Sequence, residues 1–325
     1  MTLTELAKRA QTSVATVSKA FSGSAEIPDT TKEKIFRIAK RAGCFEKYYK
    51  GPRERRIVAL VFPESESEYY GREIGLLEKE LDRRGADTVI ALTRFDPERE
   101  ARLFSELVYR MKVDGVILAG VGKLIKNPDE VPLVILGSPS QRSLNADFVR
   151  FSTTEAILNL VGIIKEYGHR DVGFIGENLT LSKLEYFKQA MRYHGLPLRE
   201  KFIAVSESER FAAAGESGMQ RLIDRGAVPS VIVAAYDQIA YGAMRRASNS
   251  GYRIPEDISF AGFDDISVTQ YLDVPLTSIH MHLEEVCERV VDLIFKRIEN
   301  RHYRERSEIV IPATVVVRDS LYRKK

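Results

Sequence analysis

The sequence predicts a small all-α head followed by a two-lobed α/β body with parallel sheets. Apolar residues recur at helical spacing in three short stretches of the first 42 residues. From Ile57 onward, short continuous apolar runs alternate with amphipathic stretches, the pattern of parallel strands covered on both faces by helices. Charge divides at the same place. Residues 1–56 hold 13 Lys and Arg against 6 Asp and Glu, a net of +7, which leaves 36 against 40 for the rest of the 325-residue chain. That length is too great for one ordinary core of about 100–200 residues. A hydrophobic fraction of 44% and a charged fraction of 29% exclude a disordered or fibrous chain.

In the head, Thr2 and Glu5 form a capping box ahead of Leu3, Leu6, Ala7 and Ala10, which predicts a helix over residues 3–10. Gln11-Thr12-Ser13 breaks it, and Ser13 caps a second helix with Val14, Val17 and Phe21 on one side. A third helix is expected from Pro28 to Ala42, carrying Ile35, Phe36, Ile38 and Ala39 and stopping at Gly43. Two short helices joined by a tight turn, braced by a third, make a helix-turn-helix. Its second helix fits the major groove, where base edges carry a distinct donor and acceptor code. Exposed Val14 and Ala15 suit thymine methyls, Thr16 and Ser18 suit phosphates, and Lys19 suits guanine; Thr4, Ser13, Lys47 and Lys50 complete the expected DNA-contacting set.

In the body, strands are expected at residues 57–62, 88–92, 115–118, 133–136, 172–175, 202–205, 231–234 and 258–261. Helices are expected at about residues 70–85, 97–111, 153–167, 182–195, 212–225 and 237–250. So many strands exceed one sheet, and the cleft between two lobes, at the carboxyl ends of strands, is the expected ligand site. The N-terminal residues lack a signal-peptide pattern and no apolar run approaches the ~18 residues of a membrane span, so a soluble, cytoplasmic protein is expected. Cys44 and Cys287 show no spacing pattern and are expected to be free thiols.

Several fragments resemble catalytic motifs and fail on inspection. Gly120-Val121-Gly122-Lys123 lacks the first Gly and the final Ser or Thr of a phosphate loop, since Ile117 and Leu124 occupy those places. His280 and His282 have no Cys or His partner at metal-ligand spacing. Asp264 and Asp265 are consecutive on a strand and face opposite ways. No Gly-x-Ser-x-Gly elbow is present. The expectation is therefore no enzyme, no cofactor and no metal; the rival reading is a sugar-binding protein or α/β enzyme with an accessory helical head.

The residues also resemble a family. Thr2 to Ala10 and the run Ser13-Val14-Ala15-Thr16-Val17-Ser18-Lys19-Ala20-Phe21 are similar to the head of the lactose-repressor (LacI/GalR) family of bacterial transcription regulators. Glu166 to Val172, Pro255-Glu256-Asp257-Ile258-Ser259, Gly262-Phe263-Asp264-Asp265, Pro275 to Ile279 and Arg318-Asp319-Ser320 extend the resemblance through the body. It implies a head at 1–44, a basic linker at 45–56 and a periplasmic-binding-protein-like body at 57–325. Lobe 1 would span about residues 57–150 and 281–311, and lobe 2 about residues 151–280 and 312–325. It also implies a homodimer on a roughly palindromic operator, controlled by a small effector, with a sugar or sugar phosphate suspected. Asp264 carries over as a hydroxyl-binding residue, Lys183 and Tyr236 stand where the family has Arg and Asn, and Tyr69 and Tyr70 stand where aromatics flank the cleft. Lys is a point charge rather than a fork, which would favour an anionic group over vicinal hydroxyls.

Two departures stand out. Gln11 replaces the turn Gly of the family. The linker lacks the family's Pro-Asn pair and its Ala-Arg-x-Leu hinge helix, and Gly51-Pro52 disfavours a helix through it. The expectation is a flexible basic arm of Lys47, Lys50, Arg53, Arg55 and Arg56, with Tyr48 or Tyr49 as its only aromatic wedges.

Overall fold

The structure, a computed structural model, describes residues 1–49, 55–120, 122–127, 131–137, 144–300 and 305–324. The chain divides into two compact units, Met1–Arg56 and Ile57–Lys325.

In the first unit, α1 (Leu3–Ala10) opens on the reciprocal Thr2–Glu5 capping box. It closes on Gln11 in the left-handed conformation, φ 55° and ψ 49°, which the turn into α2 (Val14–Phe21) requires. Ser13 Oγ caps α2 by accepting from the Thr16 N–H at 3.0 Å. α3 (Asp29–Arg41) starts after Pro28 and ends before Gly43, whose φ of 63° suits glycine. Leu6, Val17, Ala20, Ile35 and Ala39 are fully buried between the three helices. A short fourth helix, α4 (Phe45–Tyr48), corrects the expectation of a flexible arm from residue 45. Its driving force is tertiary. Phe45 and Tyr48 each lie 5.9 Å from the Phe21 ring, and the Tyr48 hydroxyl donates to the Met1 carbonyl at 2.9 Å. Tyr49 stacks on Phe45 at 4.8 Å. Of the two tyrosines expected as wedges, Tyr48 is thus packed into the head, and Tyr49 rests against Phe45 but stays exposed.

The second unit holds two six-stranded sheets. The first contains β1 (Arg56–Phe62), β2 (Ala86–Leu92), β3 (Gly115–Ala119), β4 (Leu133–Leu136), β5 (Asp147–Phe151) and β11 (Glu308–Ile311), in the order β11-β5-β4-β3-β1-β2. Val58, Leu60 and Phe62 alternate with Ala59 and Val61 to feed two separate cores. The first core is covered by α5 (Glu68–Arg83) and α11 (Leu283–Glu299), the second by α6 (Pro97–Ser105). The helix expected through residue 111 is continued by a π-helical segment, Glu106–Met111. α11 is pinned to β5 by a buried fork, with Arg297 Nε 2.6 Å and Nη2 2.9 Å from the two oxygens of Asp147.

The second sheet contains β6 (Val172–Glu177), β7 (Ile203–Ser206), β8 (Val231–Ala234), β9 (Ser259–Asp264), β10 (Thr277–His280) and β12 (Thr314–Val316), in the order β12-β10-β9-β8-β6-β7. β12 runs antiparallel to β10, so this sheet is not purely parallel as expected. It is flanked by two packed helix pairs: α7 (Thr153–Glu166) with α8 (Leu181–Tyr193), and α9 (Phe211–Asp224) with α10 (Asp237–Asn249). Gly215 and Gly242 let α9 and α10 touch through their backbones: a Cβ at Gly242 would lie 1.9 Å from the Ala212 carbonyl oxygen. The junction before β6 is tied by His169, which bridges Ser230 Oγ at 3.0 Å and the Tyr322 carbonyl at 2.7 Å.

The chain passes between sheets three times: from β5 into α7, from β10 into α11, and from β11 into β12. These crossings set the lobes facing each other across the carboxyl ends of their strands.

Candidate functional site

The ends of those strands define a cleft with two adjoining cavities that share Tyr69, Tyr70, Phe95, Phe151 and Thr153 as walls. The larger, about 540 Å³, lies mostly in the first lobe over Glu73, Thr93 and Gly120. The other, about 270 Å³, is lined from both lobes and brings together all five residues singled out in the sequence: Tyr69, Tyr70, Lys183, Tyr236 and Asp264.

Asp264 ends β9 with φ 98°, a conformation that side chains other than glycine rarely adopt, and that turn aims its carboxyl at the cleft. Burial pushes that carboxyl up to about 6 against the pull of Lys183. The adjacent Asp265 faces the other way, paired with Arg318 at 2.7 Å and His280 at 2.9 Å. Burial would raise it, but Arg318, Thr269 and His280 outweigh that and hold it low.

Lys183 enters from α8 and is not a free cation. Its Nζ donates to the Ala235 carbonyl at 2.9 Å, lies 3.8 Å from the centre of the Phe263 ring and stands 3.7 Å from Asp264. Tyr236 is likewise engaged: its hydroxyl donates to Glu177 Oε1 at 2.6 Å and accepts from the Phe211 N–H at 3.1 Å. Burial, then that carboxylate, raises its phenol far above the usual range.

Sequence reasoning missed Glu64, Glu73, Glu177 and Arg210. Glu73 follows Tyr69 by four residues and Tyr70 by three, so the helical period puts it on their face. Glu177 closes β6 at its carboxyl end, the position where such sheets bind ligands. Arg210 pairs with Glu177 at 3.3 Å and lies 5.2 Å from the Phe95 ring of the opposite lobe. No local pattern marks it, because the cap of α9 is its only regular context.

The Gly120 loop has its own anion. The Gly122 N–H donates to Glu100 Oε1 at 2.9 Å, and a Cβ at Gly120 would meet Glu100 Oε2 at 2.1 Å. A carboxylate of the chain thus sits where a phosphate would have to bind. His280 and His282 stack edge to face at 4.5 Å, and among the described residues no group of three acidic, His or Cys side chains is arranged to hold a metal. No helix among them is long and apolar enough to cross a membrane.

In the head, Thr4, Ser13, Val14, Ala15, Ser18 and Lys19 are exposed and Thr16 is half-buried. Val14 is 42% exposed, a high value for an aliphatic side chain at the start of a helix. Thr16 Oγ1 lies 2.8 Å from Ser13 Oγ, and Lys19 Nζ is 2.5 Å from Glu26 Oε2. Lys47 is exposed over the Tyr48 ring; Lys50, Gly51-Pro52 and Arg53 lie outside the described residues.

Comparison with known proteins agrees with this architecture. Residues 161–321 match the periplasmic binding protein-like domain family. The chain is 27% identical over 335 residues to the ribose operon repressor of Haemophilus influenzae, covering 100% of this chain and 99% of that protein. It is 25% identical to the HTH-type transcriptional repressor CytR of Escherichia coli, covering 95% and 93%. A LacI-family regulator structure from Silicibacter pomeroyi superposes with a TM-score of 0.79 at 21% identity, covering 99% of this chain and 100% of that one. The chain is similar to LacI-family regulators over its full length.

Like the relatives it matches, the chain is a transcription regulator rather than an enzyme. The helix boundaries of the head are set by local caps, Thr2 for α1 and Ser13 for α2. The family resemblance also frames the departures in the cleft, where Lys183 and Tyr236 are held by the protein's own groups.

Proposed function

We propose that the chain is a cytoplasmic homodimer that binds a roughly palindromic operator through its heads, residues 1–44, under control of a small polyhydroxylated effector held in the cleft of residues 57–325. The observation that carries the reading is the convergence of Tyr69, Tyr70, Lys183, Tyr236 and Asp264 on one cavity between two lobes. Aromatic walls with a few convergent polar groups are what a sugar ring requires. The names of similar proteins favour the same class: a CelR–cellobiose complex, at 24% identity and TM-score 0.70, and an Enterococcus faecium regulator with bound ribose, at 20% and 0.70.

Val14, Ala15 and Lys19 are assigned to base edges, and Thr4, Ser13, Thr16, Ser18, Lys47 and Lys50 to phosphates. A single head makes few contacts, so two-fold symmetry and matching half-sites supply the affinity. The effector acts by binding the operator-competent and incompetent dimers unequally, which shifts their populations. Gel-shift titration against the chain's own promoter region, with and without a panel of sugars, tests this. A site-specific shift altered by a sugar is expected. Absence of any site-specific shift would favour the accessory-head alternative, a sugar-binding protein or enzyme.

A further inference from the structure

The cleft carries more carboxylate than its own cations neutralise. Glu73 lines the larger cavity at 2% exposure, and among the described residues no donor or cation reaches its carboxyl. Glu64 Oε1 is buried without a hydrogen bond, its nearest cation being Arg210 at 3.9 Å. The three cations lining the cavities are already engaged: Arg210 with Glu177 at 3.3 Å, Lys183 with Asp264 at 3.7 Å, and Arg150 with Glu308 at 2.7 Å. A buried carboxyl facing a cavity without a partner is costly unless something supplies one.

Around these groups stand ring faces and edges. Tyr69 and Tyr70 meet at 5.2 Å and 73°, and Phe95 lies 6.5 Å from Tyr70. Glu64 Oε2 does accept from the Glu66 and Ser67 N–H groups, so the open positions are Glu64 Oε1 and the Glu73 carboxyl. Aromatic rings beside them attract a positively charged group through both terms, since a ring face is itself negative. An anion would instead face Glu64, Glu177 and Asp264, which line one cavity together.

We propose that the effector carries a protonated amino group, seated between Glu73 of the first lobe and Asp264 of the second, with its hydroxylated frame against the tyrosines. This rests on the reading that the cleft holds the effector, and it replaces the suspected sugar phosphate with an amino sugar or comparable hydroxylated amine. Such a group would bridge the lobes by neutralising carboxyls on both. Burial first, and then the Asp264 charge, push Glu73 up to about 8, so its carboxyl is largely protonated at neutral pH without ligand. An entering cation favours the ionised form, so binding releases a proton.

Isothermal titration of the full chain with matched probes tests the proposal: glucose, glucosamine and glucose 6-phosphate; galactose, galactosamine and galactose 6-phosphate; and pentaerythritol against tris(hydroxymethyl)aminomethane. At least one amino probe is expected to bind about tenfold tighter than its hydroxyl partner, a difference of ~1.4 kcal/mol. Phosphates should bind weakest, Glu73→Gln should erase the amino preference, and heats in two buffers should reveal net proton release. Equal binding of amino and hydroxyl probes, tightest binding of a phosphate, an amino preference that survives Glu73→Gln, or no binding of any amino probe overturns it. The underlying reading fails differently. Neutral sugars that bind and lose affinity in Asp264→Asn keep the cleft as the effector site, whereas silence from every probe, with operator binding unchanged, removes it.

Discussion

Tyr236 donates its hydroxyl proton to Glu177 across 2.6 Å while accepting from the Phe211 N–H at 3.1 Å, so one phenol joins the end of β6 to the start of α9. Glu177 is 3% exposed and shares its Oε1 with Arg210. Removing the hydroxyl leaves a buried carboxylate one donor short and a backbone N–H without its acceptor. Tyr236→Phe should therefore cost about 1–3 kcal/mol of stability. Urea unfolding followed by circular dichroism reads this directly, and an unchanged midpoint would show that water replaces the phenol at no cost.

Glu73 makes stability depend on pH. Its folded value, about 8, lies above the ordinary glutamate value of 4.5, so the native state holds a proton that the unfolded chain has released. With more protons bound to the native state, stability falls as pH rises between those values. Glu73→Gln removes this loss. The variant should gain little near pH 4, and on the order of a few kcal/mol over the native chain at pH 8, by the conversion of ~1.4 kcal/mol per unit. Thermal unfolding at pH 5, 6, 7 and 8 measures the gap, and a gap that does not widen with pH would place a donor on Glu73.

How far these features are legible in the sequence depends on whether their cause is local. The capping box at Thr2 and the cap at Ser13 are local hydrogen bonds, and both helices start where those residues dictate. Gln11 keeps the turn geometry that a glycine would take, at φ 55°, because the packing of Leu6, Val17 and Ile35 fixes both flanking helices. α4 is not legible in the sequence because four residues carry no period; ring contacts with Phe21 and Phe36 hold it. β11 offers only three apolar residues, Ile309 to Ile311, too short a run to mark a strand by itself, and its pairing with β5 is the determining contact. In the cleft, Asp264 was legible from its Gly-Phe-Asp context. The engagement of Lys183 with Ala235 was not, because it joins residues far apart in the chain.

The α9–α10 contact allows a paired test of glycine. At Gly242 an added Cβ would lie 1.9 Å from the Ala212 carbonyl oxygen, and at Gly215 it would lie 2.0 Å from that of Ile239. Relief requires the helices to separate. Gly242→Ala should cost roughly 1–3 kcal/mol or more, as overpacking does. Gly75 sits exposed on α5 with nothing within 4 Å of its added Cβ, so Gly75→Ala should gain about 0.5–1 kcal/mol through helix propensity. Guanidinium unfolding of both variants decides the matter, and equal effects would mean the close helix contact is not what requires Gly242.

Lys19 and Glu26 form the last test, on the assignment of α2 to the major groove. The pair is exposed on both sides, 51% and 68%, so it contributes little to stability and mainly competes for the ammonium. If Lys19 reads a guanine, the ion pair has to open on binding. Lys19→Ala should then weaken the specific complex by about 1–3 kcal/mol and relax preference at one position of each half-site. Glu26→Gln should do the opposite, strengthening binding while leaving the preferred sequence unchanged, because it removes both the competitor and a charge that repels phosphates. Thr16→Ala should weaken all sequences alike, since a phosphate contact carries no base information. Binding-site selection with each variant separates these outcomes: an unchanged sequence profile for Lys19→Ala would assign the lysine to the phosphate backbone, and weaker binding by Glu26→Gln would mean that the ion pair orients Lys19 rather than restraining it.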